Sequence, residues 1–138
     1  MTRDEAMPFL TTGTRTGKLA TISADGSPHV APIWFVHDDG DLVFNTWHTS
    51  VKAKNLTSHP RASLVVDLEE PPYAFVIVRG TVSLTDDLDE LRHLATSIGA
   101  RYMGAVPAEE FGARNGVEGE LLARLHMDKV VAHGDVSA

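Results

Sequence analysis

The chain has 138 residues, of which 43% are hydrophobic and 22% charged, a formal charge of -7 and no cysteine. That length suits one domain spanning residues 1–138, and the composition supports a packed core while excluding a disordered or fibrous chain. The missing thiols exclude disulfides, thiolate zinc sites, iron–sulfur clusters and a cysteine nucleophile together, so any redox chemistry needs a borrowed cofactor.

The start MTRDEAMPFL lacks the basic-then-apolar order of a secretory leader, and no run approaches the roughly 18 apolar residues of a membrane helix. A soluble cytoplasmic protein is the expectation. Thr2 with Glu5 three residues on reads as a capping box for a short helix toward Leu10, limited by Pro8. Residues 17–23 read as a strand closed by Asp25-Gly26, a hairpin signal, and residues 28–36 as its partner. A second turn at Asp38-Asp39-Gly40 leads to a strand over 42–46, which makes a three-stranded meander. Residues 50–56 form a helix-capable run with Ser50 as its cap, ended before Pro60. Strand character resumes at 62–67 and 73–84. Residues 86–103 carry Leu88, Leu91, Leu94, Ala95 and Ile98 at helical spacing. A Gly-rich polar loop is expected over 104–119 and a last strand over 121–132. About six antiparallel strands with two or three helices point to a mainly β (α+β) fold, and among such folds to a small barrel.

Charge is unevenly spread. Residues 1–62 hold six Lys/Arg and six Asp/Glu, whereas residues 63–138 hold six against thirteen. No acid occurs between Asp41 and Asp67, a window that includes Lys52, Lys54 and Arg61. A local cationic patch on an acidic protein suits a small anionic ligand better than a nucleic acid, which prefers a broad basic face.

Several motifs carry no chemistry. Residues 13–18, GTRTGK, are one residue short of a phosphate loop and read as a turn, and no GxGxxG follows a strand. The seven histidines show no ligand pairing, so no metal site is expected, and no GxSxG elbow is present. Two segments are informative. Residues 46–56 combine three hydroxyls, two lysines and a helix start, donors that a phosphate or carboxylate requires, although the same run also reads as a solvated amphipathic helix. Pro28 and Pro32 lie within a strand that carries Trp34; proline removes a ladder donor, which places this strand at an edge or beside a cavity.

In order along the chain, KLATISADGSPHVAPIWF, DLVFNT, KAKNLTSHPRASLVVD and RYMG before the last strand resemble the pyridoxamine 5′-phosphate oxidase-like flavin and deazaflavin oxidoreductases. The resemblance runs from about Leu10 to Ala132 and is greatest to the actinobacterial branch that uses the deazaflavin coenzyme F420. It implies a split β-barrel homodimer with two cofactor sites between subunits, and hydride transfer from reduced deazaflavin to a small organic acceptor. It assigns the cofactor phosphate to Lys52 and Lys54 with Ser50 and Asn55 beside them, the ring to Ala31, Pro32, Ile33 and Trp34, and the ribityl chain to Thr46. FMN-binding members often carry an arginine-rich second strand and an arginine close to the phosphate lysine; here Val30-Ala31-Pro32-Ile33 and Ser50 stand instead, which favours the deazaflavin over FMN. The alternatives are an FMN oxidoreductase of the same fold and a cofactor- or ligand-binding protein without turnover. Trp34, Trp47 and Tyr102 are candidates to line an acceptor pocket, with Tyr102 or a water as proton source.

Overall fold

The computed structural model describes residues 1–136. Helix α1 (Arg3–Thr11) is followed by β1 (Gly17–Ile22), β2 (Pro28–Ile33), β3 (Val36–Asp38) and β4 (Asp41–Trp47). After α2 (Val51–Ser58) come β5 (Arg61–Asp67), β6 (Phe75–Thr85), α3 (Leu88–Met103), α4 (Ala105–Asn115) and β7 (Glu120–His133). All pairings are antiparallel, in the order β2-β1-β5-β6-β7-β4-β3. No helix is long and apolar enough to cross a membrane among the described residues.

The order contains its own closure argument. Strands β2 and β3 lie at opposite ends of the sheet, yet only Trp34 and Phe35 separate them in the chain. Seven flat strands spaced roughly 4.8 Å apart would put the two edges nearly 30 Å from each other, whereas three residue steps span at most about 11 Å. The sheet must therefore roll until its edges meet. Alternate residues then point inward, and Leu19, Phe35, Phe44, Leu64, Val66, Val76, Val78 and Leu125 form the buried interior, with Ala6 and Leu10 of α1 packed on it. On the outside, α3 buries Leu91 and Leu94 against Val43 and Leu122. Arg124 pins the same contact, bonding Glu90 of α3 at 2.8 Å and Asp38 of β3 at 2.8 Å.

Where the edges meet they are not paired, so the backbone of Phe35 needs other partners. The C-terminal turn of α3 supplies them. Phe35 N–H donates to the Tyr102 hydroxyl at 3.3 Å, and Phe35 C=O accepts from Arg101 Nη1 at 2.6 Å. Arg101 also donates to Leu10 O at 2.8 Å and Gly13 O at 3.0 Å, while Tyr102 donates to Arg15 O at 3.0 Å. Two consecutive side chains thus tie α1, the loop after it and the open seam of the barrel.

The expected elements need three corrections. The single strand read over 28–36 is two strands, β2 and β3, because the chain turns through Trp34 and Phe35 as it changes edges; the sheet therefore has seven strands, and the expected meander does not form, since β2 pairs only with β1 while β4 pairs with β3 and β7. Pro8 does not end α1, which continues to Thr11, although the expected capping box is present with Thr2 Oγ1 accepting from Glu5 N. The loop read over 104–119 contains α4. Pro107 falls in its first turn, where a missing N–H costs nothing. Its glycines are contact residues: a Cβ on Gly112 would lie 1.8 Å from Thr96 Oγ1, and one on Gly99 of α3 would lie 3.0 Å from Phe111 Cβ. Close packing of α3 on α4 explains Gly112 and Gly116, whereas Gly104 and Gly119 take positive φ at turns.

Replacing Arg101 by Met keeps the side-chain volume but leaves the carbonyls of Phe35, Leu10 and Gly13 without this donor. Arg101→Met is expected to lower stability by about 2–4 kcal/mol, more than one charged hydrogen bond, because several acceptors lose a partner at once. Urea unfolding followed by tryptophan fluorescence measures it, with Arg114→Met on α4 expected to stay within about 0.5 kcal/mol of wild type.

Candidate functional site

The turn from β4 into α2 is built by its hydroxyls. Ser50 Oγ accepts from Ala53 N at 3.1 Å and lies 2.7 Å from Thr46 Oγ1. The Ser50 carbonyl takes Lys54 N–H at 3.1 Å. This leaves the N–H groups of Val51 and Lys52 open at a helix start that has no acidic residue in its first turn. The Lys52 side chain is half-buried beside them, with no carboxylate at ion-pair distance among the described residues. Open backbone donors, the positive end of a helix and a free ammonium are the donor set for a phosphate or carboxylate, so these residues fit an anionic cofactor group.

The other assigned residues of this segment have distinct places. Thr46 is 4% exposed and its hydroxyl is engaged with Ser50. Asn55 is 5% exposed, and its Nδ2 donates to Thr21 Oγ1 of β1 at 3.0 Å, locking α2 onto the sheet. Lys54 is exposed. The two lysines are thus not equivalent, as the roughly 200° between helix positions two apart requires.

Ala31, Pro32 and Ile33 lie in β2, the edge strand expected from its prolines. Ala31 and Ile33 face inward opposite Leu19 and Gly17, and Pro32 faces outward opposite Lys18. Thr21, which receives Asn55, is also the register partner of His29 in β2, so the α2 segment and β2 flank the same strand. Trp34 is 40% exposed and stacks on Tyr102 at 4.9 Å with 4° between the planes, backed by Phe111 of α4 at 5.8 Å. One face of Trp34 is therefore held while the rest meets solvent. The Tyr102 hydroxyl is committed to backbone on both sides, and burial pushes its phenol above the ordinary value.

Sequence reasoning did not select Glu120. It opens β7 opposite Trp47 and lines a cleft of about 640 Å³ with Trp47, His48, Asp86, Leu88 and Gly119. His48 is fixed there, its N–H and Nδ1 both meeting Gly119 O, at 2.8 and 2.9 Å. Gly119 has φ +98°, and a Cβ on it would lie 2.3 Å from the Trp47 ring. Glu120 Oε2 is buried without a hydrogen-bond partner among the described residues. Burial pushes this carboxyl up, against the pull of the Asn45 amide and the Lys52 charge. Only the side-chain pattern of the folded β4–β7 pair brings Glu120 near Lys52, so no local signal marks it.

The turn at residues 13–18 is committed elsewhere: Lys18 pairs with Asp67 at 2.8 Å and Arg15 donates to Phe9 O at 2.9 Å. Among the described residues no three His, Asp or Glu side chains are grouped to hold a metal.

The sequence profile described as pyridoxamine 5′-phosphate oxidase matches residues 2–131. Among solved structures, a conserved hypothetical protein from Mycobacterium tuberculosis is 24% identical with a TM-score of 0.84, the match covering 100% of this chain and 93% of that one. A protein described as an F420 reductase is 23% identical with a TM-score of 0.73, over 90% and 94% of the two chains. The heme storage protein of Vibrio cholerae is 19% identical with a TM-score of 0.76, over 98% and 97%. At these identities the structural matches establish a shared fold.

The position of Glu120 has a measurable consequence. A carboxyl raised in the folded state gives most stability while protonated and loses it as pH rises through the folded value. Glu120→Gln is therefore expected to raise the melting temperature at pH 7, and the gain should shrink as pH falls toward and below 4.5, the ordinary value of the group. Melting curves across that range check both the sign and the trend.

Proposed function

The chain belongs to the pyridoxamine 5′-phosphate oxidase family, and on that premise we propose that it is an oxidoreductase that passes hydride from reduced coenzyme F420 to a small organic acceptor. The observation that carries this reading is the helix start at α2, where the Val51 and Lys52 N–H groups and the Lys52 ammonium stand open in a stretch free of carboxylates. The cofactor, when bound, supplies the hydride; the protein supplies binding, orientation and exclusion of water.

In this reading Lys52 holds the cofactor phosphate, Ser50 shapes the turn, and Thr46 and Asn55 keep that turn rigid from below. Lys54 has a lesser part, because it is exposed. Ala31, Pro32 and Ile33 offer a strand edge to the flat ring, and Trp34 adds its free aromatic face. The lack of arginine beside Ala31 and Ser50 supports the deazaflavin over FMN, as does the shared fold with an F420 reductase. An FMN oxidoreductase is the alternative within the same chemistry. The fold shared with a heme storage protein favours a second class of reading, a carrier that binds a flat ligand without turnover.

We also propose a homodimer. The outer face of the β2 edge exposes Val30 at 66%, apolar surface on an unpaired strand that a second copy would cover.

Fluorescence titration of the protein with coenzyme F420 and with FMN tests the assignment. F420 is expected to bind more tightly, and an equal or higher FMN affinity would move the protein to the alternative. Lys52→Ala should weaken F420 binding roughly tenfold to more than a hundredfold, the worth of a charge-assisted contact, with melting temperature nearly unchanged. Lys18→Ala should change binding by only a few tenths of a kcal/mol, because Lys18 is paired with Asp67. Tight binding with no oxidation of the reduced cofactor by any acceptor in a panel would favour the carrier. Sedimentation at micromolar concentration checks the dimer.

A further inference from the structure

A second group of cations lies beyond the far end of α2, on the outside of the sheet. Arg61 opens β5 and Arg79 lies in β6; the register pairs Arg61 with Thr81 and Ser63 with Arg79. Both arginines are exposed, and both alternate with the buried residues Ala62, Val78 and Gly80, so they leave the same outer face as diagonal neighbours. Diagonal neighbours on one face are roughly 7–8 Å apart. Lys129 of β7 stands directly opposite Arg79 and is also exposed. Like charges this close repel one another, and among the described residues neither guanidinium has a hydrogen-bond or ion-pair partner. Asp128, on the neighbouring strand, is engaged with Thr81 Oγ1 at 3.4 Å and His126 Nε2 at 3.8 Å.

The two arginines line a concavity of about 230 Å³ whose other walls include Ala20, Ser63, Gly80, Ile22 and Pro28. No carboxylate lines it, in a protein with 19 acidic residues. Gly80 is needed for its shape: the β6–β7 ladder is bulged at Arg79/Gly80, and a Cβ on Gly80 would lie 1.7 Å from His126 O. Bulges re-aim the side chains beside them; here the affected side chain is Arg79.

We propose that this cleft binds a small oxyanion, a phosphoryl or carboxylate group held between the Arg61 and Arg79 guanidiniums, with its first carbons against Ile22 and Pro28. An anion there would relieve the cationic repulsion and receive charge-assisted, fork-like hydrogen bonds from both arginines. The volume is that of about eight waters at roughly 30 Å³ each, enough for a head group and a short carbon chain. The site goes beyond the cofactor assignment, since α2, about 12 Å long by its eight residues, separates Arg61 from the helix start at Ser50 and Lys52.

Calorimetric titration of the full chain with inorganic phosphate and, separately, with propionate tests the proposal and tells the two anion sources apart. At least one of the two is expected to bind saturably. Arg61→Gln and Arg79→Gln should each weaken it about tenfold or more, the loss of one charge-assisted contact, whereas Lys18→Ala, at a lysine paired with Asp67 and outside the cleft, should leave it unchanged. Without ligand, Arg79→Gln should raise the melting temperature, because it removes the repulsion with Arg61 and Lys129. Absence of saturable binding by either anion would overturn the proposal, as would binding that survives in the double arginine variant or is lost with Lys18→Ala. Sedimentation of the same variants covers the remaining outcome: if they change the oligomeric state and not anion affinity, the arginines serve contact between copies and the oxyanion site is refuted. F420 binding by the arginine variants stays a separate readout, so this proposal and the cofactor assignment can fail independently.

Discussion

Phe35 sits between two strands that lie at opposite edges of the sheet, and its buried backbone has no ladder to join. The fold depends on how that backbone is satisfied. An unpaired amide or carbonyl inside a protein costs as much as a lost hydrogen bond or more, and here both are answered from one helix end, by Tyr102 and Arg101. Arg101 further lies over the Phe35 ring at 4.6 Å and the Tyr102 ring at 4.8 Å. The guanidinium therefore contributes packing and hydrogen bonds at once. With the seam held this way the two sheet edges can approach without pairing, and Trp34, the residue before Phe35, is turned outward onto Tyr102. The exposed aromatic surface at Trp34 is thus a by-product of rolling the sheet.

The same economy governs the start of α2. Ser50 satisfies one first-turn donor, and Thr46 and Asn55 hold the turn from the strand before it and the strand beneath it. What remains open is a pair of backbone N–H groups and one lysine. These donors are held rigidly in a stretch of chain without carboxylates. Glu120 is the counterweight: a partly buried carboxyl that feels the charge of Lys52 and would feel the field of any anion bound nearby.

Much of this was legible in the residues. The capping box at Thr2, the Ser50 cap, the Asp25-Gly26 hairpin and the edge strand marked by Pro28 and Pro32 are local signals, since capping, turn conformation and the missing proline donor act within a few residues. The acid-free window from Asp41 to Asp67 was equally readable, because charge counts need no coordinates. Where reading failed, the cause was tertiary. Gly112 reads as a loop former in sequence but is a contact point between α3 and α4, and the break at Trp34-Phe35 has no local signature because it is imposed by the rolling of the sheet.

What the sequence by itself determined about this protein is therefore the kind of object it is: an antiparallel β fold with flanking helices and a helix start in a stretch free of carboxylates. Periodicity, turn chemistry and charge are properties of neighbouring residues, and they survive without a fold. Only the tertiary structure decided which residues separated in sequence share a surface. Arg101 and Tyr102 meet Phe35 across 66 and 67 positions, Glu120 comes to Lys52, and Arg61 stands beside Arg79. Those pairings follow from strand register and from the rolling of the sheet, which depend on the burial of the whole core at once and are written in no single segment.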